Sequence, residues 1–325
     1  MSFVKITLFV TLFAYFNILG AAEVKTELSK KKIAYIVSDI RIPFWQIMSR
    51  GIKKSADELG YDVTVYSSNN IKKTEIKNTL QAIKNQVDAI ILSPINSSSA
   101  VTVLKFANSA NIPVIISDIG TQRGEYLSYI SSDNENGAYE IGQVLAQKMK
   151  ELGWDKNGSV GIVAIPQKRE NGKARTTGFM RAMSESGIKV EGLKQQVDFS
   201  YKETYDFSKK LIEQSKELRA IWLQGSDRYK GAQDAIKQSG KEGEILLIVF
   251  DAEPEFLELI PRGVITAAAM QQPYVFGEKA VMLLDDFFNK KDVQKHIQLS
   301  ILPISTDNIE KNIPLIKRNV LGILH

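Results

Sequence analysis

Three polar residues stand at the ends of short apolar runs: Asp118 follows Pro113 to Ser117, Asp251 follows Ile245 to Phe250, and Gln271 follows Val264 to Met270. A carboxylate accepts hydrogen bonds on both oxygens, and a carboxamide both donates and accepts, so these side chains suit a small molecule rich in hydroxyls. Runs of this kind are strand-like. In a doubly wound α/β sheet, ligands bind beyond the carboxyl ends of the parallel strands. Equipment for transforming a bound molecule is scarce. The chain has no cysteine, which removes thiolate metal sites, iron–sulfur clusters and cysteine nucleophiles. Of the histidines, His296 lies in a polar stretch and His325 is the last residue, so neither sits in a strand-end loop where a serine–histidine–acid triad would need it. The first strand runs into Ser38 to Pro43 without the glycine-rich turn of a dinucleotide site. No cofactor and no metal are expected.

The elements that must position these groups follow from the patterning. With 325 residues, 44% hydrophobic and 24% charged, the chain has ordinary globular composition and length for about two domains. The net charge of +5 is spread along the sequence with no basic stripe, which argues against nucleic acid as a partner. The amino terminus is predicted to be an export signal. Lys5 precedes the mostly apolar run Ile6 to Leu19, and Gly20-Ala21-Ala22 supplies small residues for cleavage after Ala22.

From Lys32 onward, β-branched runs alternate with amphipathic segments. Strands are predicted at Ile33 to Ser38, Asp62 to Tyr66, Asp88 to Ser93, Pro113 to Ser117 and Tyr126 to Ile130, with helices between the first four. Pro43 opens the first of these helices, an accepted use of proline. The alternation restarts after Asp133-Asn134 and runs through Val264 to Met270, a long helix from Pro273 to Phe288, and a strand from Ile297 to Pro303. Alternating βα units argue for parallel sheets with helices on both faces. The expected fold class is therefore α/β, with two doubly wound lobes. No Gly/Ser tether separates the two blocks, so crossing segments rather than a loose linker are expected to join them.

With this order of elements, several local motifs resemble the periplasmic sugar-binding proteins of the ribose-binding type, a class I solute-receptor fold. They are Pro43-Phe44-Trp45 after the first strand, Leu92 to Asn96, Ala110 to Ile116 with Asp118, Ser131 to Asn134, Gly178-Phe179, Phe250-Asp251 and Gln271. The resemblance implies two periplasmic binding protein-like lobes joined by three crossing segments. They are 32–133 plus 272–300, and 134–271 plus 301–325, after a signal peptide of 1–22. It also implies a cleft that closes by hinge motion on a small-molecule ligand. By the same resemblance, Phe44, Trp45 and Phe199 form the aromatic walls, and Asp118, Asp251 and Gln271 bind hydroxyls. Either Lys173 or Arg175 supplies the cation, and Lys173 aligns with the family's arginine. The distinction matters because arginine grips two oxygens in a plane whereas lysine is a point donor. Asp39 and Arg41 on the first loop are candidates for added charge. The chain departs from the family at Ile42 and Gly225, where asparagine is usual, and at Ile119, where arginine is usual. Ser226, Asp227 or Arg228 could supply the hydrogen bond that Gly225 has no side chain to make. Because an unpartnered buried hydroxyl costs roughly 1–3 kcal/mol, these three departures point to a ligand less hydroxylated than ribose or held in another pose.

The expected function is a monomeric receptor serving a membrane permease of an ABC importer. The alternative is a receptor for an amine-oxide or autoinducer-type ligand that reports to a sensor kinase or chemoreceptor, since amine-oxide sensors share the fold and a segment like Thr176-Thr-Gly-Phe179, and autoinducer receptors share the fold. A carboxylate-pair glycosidase would need Asp118 and Asp251 side by side, yet they belong to opposite lobes. A repressor would need a DNA-binding helix pair where the export signal stands.

Overall fold

The computed structural model describes residues 30–323. The export signal and its cleavage after Ala22 lie outside the described residues. Among those residues, no helix is long and apolar enough to cross a membrane.

The first half alternates as predicted: β1 (Lys32–Val37), α1 (Pro43–Glu58), β2 (Asp62–Ser67), α2 (Lys72–Lys84), β3 (Ala89–Ser93), α3 (Ser97–Ser109), β4 (Val114–Ser117) and β5 (Ser128–Ser132). The second half repeats the plan with α4 (Asn134–Glu151), β6 (Ser159–Ala164), α5 (Glu170–Glu185), β7 (Lys189–Gln195), α6 (Tyr201–Gln214), β8 (Leu218–Leu223), α7 (Tyr229–Gln238), β9 (Leu246–Phe250), α8 (Phe256–Leu259) and β10 (Ala267–Met270). The chain ends with α9 (Pro273–Phe288), β11 (His296–Leu299), β12 (Leu302–Ser305), α10 (Ile309–Leu315) and a π-helical turn at Ile316–Val320.

Two sheets result, in the orders β11-β5-β4-β3-β1-β2 and β12-β10-β9-β8-β6-β7. All pairings are parallel except β10 with β12. Helices cover both faces of each sheet, which explains why β3, β4, β6 and β10 are buried at every position while β2, at an edge, is partly exposed. The chain passes between the lobes after β5, after β10 and between β11 and β12.

The single strand predicted over Ile297 to Pro303 is two strands in opposite sheets. The break falls at Ser300-Ile301, where Ile301 packs into the second lobe's core. The strand predicted over Tyr126 to Ile130 begins later, at Ser128, and the one over Val264 to Met270 begins at Ala267. Gly263 turns the chain there at φ 71°, a left-handed conformation that delays entry into the sheet.

The lobes share a helix pairing that depends on glycine. A Cβ on Gly51 of α1 would lie 2.3 Å from the Tyr274 carbonyl oxygen of α9. In the second lobe, a Cβ on Gly178 of α5 would lie 1.9 Å from the Glu135 carbonyl oxygen of α4. Backbones meet at both sites, and this fixes the amino ends of α1 and α5 over the ends of β1 and β6.

Candidate ligand-binding cleft

Asp118 and Asp251 occupy matching places, one residue beyond β4 and β9. Both take left-handed backbone, at φ 67° and 73°. Each amide donates to the neighbouring strand that leads to a crossing, Asp118 to Ile130 O at 2.9 Å and Asp251 to Ala269 O at 2.8 Å. Aspartate tolerates this conformation better than most residues, though it still costs about 1 kcal/mol. No helix begins at Asp118; the next element is β5, so its carboxylate is not a helix cap.

The second lobe surrounds Asp251 with donors. Gln271 Nε2 donates to Asp251 Oδ1, and Arg175 Nη1 lies 3.7 Å from Asp251 Oδ2. The Arg175 guanidinium also donates to Asn134 Oδ1 at 2.8 Å and to Gln224 O at 2.6 Å, and stacks over the Phe250 ring at 3.8 Å. Across the cleft, Asn171 Nδ2 at the start of α5 donates to Asp118 Oδ2 at 3.2 Å. Burial pushes the Asp118 carboxyl up to about 6; Arg175 opposes the rise and the Asp251 charge adds to it. Burial likewise raises Asp251.

Three side-chain oxygens at this cluster are left over as acceptors. Asp118 Oδ1, Asn171 Oδ1 and Gln271 Oε1 are buried and have no hydrogen-bond partner among the described residues. The amide orientations follow from chemistry, because turning either oxygen toward the carboxylate it faces would place acceptor against acceptor. Three unsatisfied acceptors therefore call for a guest that donates, as hydroxyls do.

The other predicted residues divide. Phe44 is half-buried and meets buried Trp45 edge-to-face, with ring centroids 4.7 Å apart, at the amino end of α1. Phe199 is half-buried at φ 52°, with the Arg169 guanidinium 5.1 Å above its ring. Lys173 does not reach the cluster. It stands on the outer face of α5 with 57% of its side chain exposed, paired to Glu170 at 3.3 Å, whereas Arg175 is 3% exposed. Asp39 and Arg41 form a bidentate ion pair, at 2.8 and 2.7 Å, that staples the β1–α1 loop and occupies both Asp39 oxygens. Gly225 leaves space: a Cβ there would meet nothing closer than Asp227 Oδ1 at 3.7 Å. Arg228 is tied to Asp227, at 3.1 Å. Ser226 donates to Glu253 at 2.8 Å, so its hydroxyl does not stand in for an asparagine at Gly225. Ile119 is fully buried in the first lobe's core.

A family model described as a periplasmic binding protein domain matches residues 33–292. The chain belongs to that family. The ribose import binding protein of Escherichia coli K12 is 29% identical over 276 residues, covering 85% of this chain and 91% of that one. The corresponding protein of Bacillus subtilis strain 168 is 28% identical over 269 residues, with 82% and 84% covered. A carbohydrate transporter solute-binding protein from Agrobacterium radiobacter, solved with D-arabinose, superposes with a TM-score of 0.83 at 20% identity, covering 90% of this chain and 99% of that one. These findings bear out the resemblance and the fold class read from the sequence.

In this periplasmic binding protein, sequence reasoning assigned nothing to Arg169, Asn171, Gln224 and Glu253, and read Asn134 only as part of a family-like motif. Asn134 and Gln224 fix Arg175 from a crossing segment and a strand end. Burial lifts the Glu253 carboxyl to about 7, beside Asp227, which burial lifts to about 6. A signal for Asn171 existed: it lies just after β6, the place in the second lobe that corresponds to Phe44 and Trp45 after β1.

Proposed function

We propose that the protein is a periplasmic receptor that binds one small sugar between its lobes and presents it to the membrane permease of an ABC importer. Asp118 from one lobe and Asp251, Gln271 and Arg175 from the other grip the guest, with Phe44, Trp45 and Phe199 as its apolar walls. The observation that carries this reading is the convergence of strand-end acceptors from opposite lobes on one buried, donor-hungry cluster. A guest touching both lobes favours the shut arrangement by its differential affinity, and the permease reads that shape. The matched relatives are named for ribose import, so pentoses and related hexoses are the first candidates. They lend no support to a sensor-kinase partner. With Ile42, Ile119 and Gly225 in place of polar groups, the preferred sugar presents fewer acceptors than ribose does, or turns them elsewhere.

A thermal-shift panel of D-ribose, D-allose, L-arabinose, deoxy sugars and polyols tests this directly. A true ligand at about 100 times its Kd should stabilise the protein by roughly 2.7 kcal/mol. A flat response across every sugar and polyol would overturn the sugar reading.

A further inference from the structure

Arg169 lies in the loop between β6 and α5, yet it reaches the opposite lobe. Its Nε donates to the Ile95 carbonyl oxygen beyond β3 at 3.0 Å. Two neighbours make the same crossing: Glu170 N donates to Ser97 Oγ at 3.5 Å, and Asn171 Nδ2 to Asp118 Oδ2 at 3.2 Å. The Arg169 guanidinium lies over the Phe199 ring, and Asp118 is the carboxylate whose charge acts on it most strongly, ahead of Asp227 and Glu75.

The Nη pair, however, has no hydrogen bond and no ion pair among the described residues. A guanidinium carries five N–H donors in a rigid fork. A residue acting only as a staple between lobes would spend that fork on the nearby carboxylates. Here the carboxylates act on its charge from outside ion-pair distance, and the fork stays uncommitted while Asp118 Oδ1, on the lobe that Arg169 reaches, also lacks a partner among the described residues. Position 119, where the resembling receptors carry arginine next to the first-lobe aspartate, is a core isoleucine.

We infer that Arg169 is a ligand-gripping residue of the cleft: Nε ties it to the first lobe while its Nη fork takes adjacent oxygens of the guest, supplying from the second lobe the guanidinium that position 119 lacks. This rests on the sugar-receptor reading. The guest is a neutral sugar, because the carboxylates whose charge acts on Arg169, Asp118 foremost, would repel an anion. Since Arg169 comes from the far lobe, it stands beside Asp118 only when the lobes are shut, and its removal acts on dissociation more than on association.

The test compares wild type, Arg169→Met and Arg169→Lys by calorimetry and stopped flow with D-ribose and its deoxy analogues, and by small-angle scattering without ligand. Removing a charge-assisted pair should weaken D-ribose by about 10- to 100-fold, mostly through a faster off-rate. Deleting the hydroxyl that Arg169 holds should cost wild type affinity but cost Arg169→Met little, a coupling that a merely structural role would not produce. Arg169→Lys should recover only part of the affinity, and it carries the test if the methionine variant does not fold. Wild-type affinity in Arg169→Met, or equal losses for every deoxy sugar in both proteins, would overturn the inference while leaving the sugar reading intact. If wild type binds none of these sugars, the sugar reading falls and this inference with it, and ligand-free scattering then reports only whether the Arg169 contact holds the lobes together.

Discussion

Asp118 is 2% exposed, and burial lifts its carboxyl from the usual 3.8 to about 6. The sign of the consequence is opposite to that of a salt-bridged acid. The folded state holds a proton that the unfolded chain has already released, so Asp118 contributes stability below the unfolded pKa and that contribution disappears as pH rises through the folded one. Urea denaturation of the ligand-free protein should therefore show stability falling between about pH 4 and pH 6 relative to Asp118→Asn, whose curve lacks that component. Parallel pH profiles for the two proteins would refute the assignment. At this scale the sequence was partly legible. Asp118, Asp251 and Gln271 announce themselves because each follows an unmistakable apolar run. The choice between Lys173 and Arg175 did not, because resemblance aligned Lys173, whose side chain turns outward, while Arg175 is buried. Residues two apart on a helix point roughly 200° apart, so only one can face the sheet. Arg169 and Asn171 lie at a loop and a helix start, where no periodicity marks which way a side chain turns.

Helix pairing sets the precision of the cleft. The α4–α5 contact is made backbone to backbone at Gly178, and α5 carries Asn171 and Arg175 on its amino half. Gly178→Ala should force the helices apart and destabilise the protein by about 1–3 kcal/mol. Ligand affinity should fall with stability, because a shift of about 1 Å at a binding constellation is costly. Chemical denaturation and calorimetry on the same preparation check both, and unaltered stability would show that the helices yield at no cost. Gly178 and Phe179 were readable as a motif, whereas the partner at Glu135 was not, since the contact joins distant turns of chain. The split between β11 and β12 was hidden for a related reason. An extended chain crossing between sheets has the same local pattern as one continuous strand, and only the tertiary destination of Ile301 separates them.

The two-lobe plan is the most legible level, since the βα alternation stops and restarts at Asp133-Asn134. How tightly the lobes sit together was not, because Arg169, Glu170 and Asn171 touch Ile95, Ser97 and Asp118 through contacts about 50 to 75 residues apart in sequence. The C-terminal segment adds a second set of ties at the back of the molecule: Arg318 pairs with Glu278 of α9 at 2.6 and 2.7 Å, and Asn319 donates to Gln272 beyond β10 at 2.8 Å. One calorimetric experiment bears most directly on this picture: titration of the sugar found in the thermal-shift panel into wild type, Asp118→Ala and Asp251→Ala, with circular dichroism to verify that each is folded. A single guest held from both sides predicts one site per chain in wild type and no measurable heat of binding in either variant. Wild-type binding by one of the two folded variants would mean that its lobe takes no part in the grip.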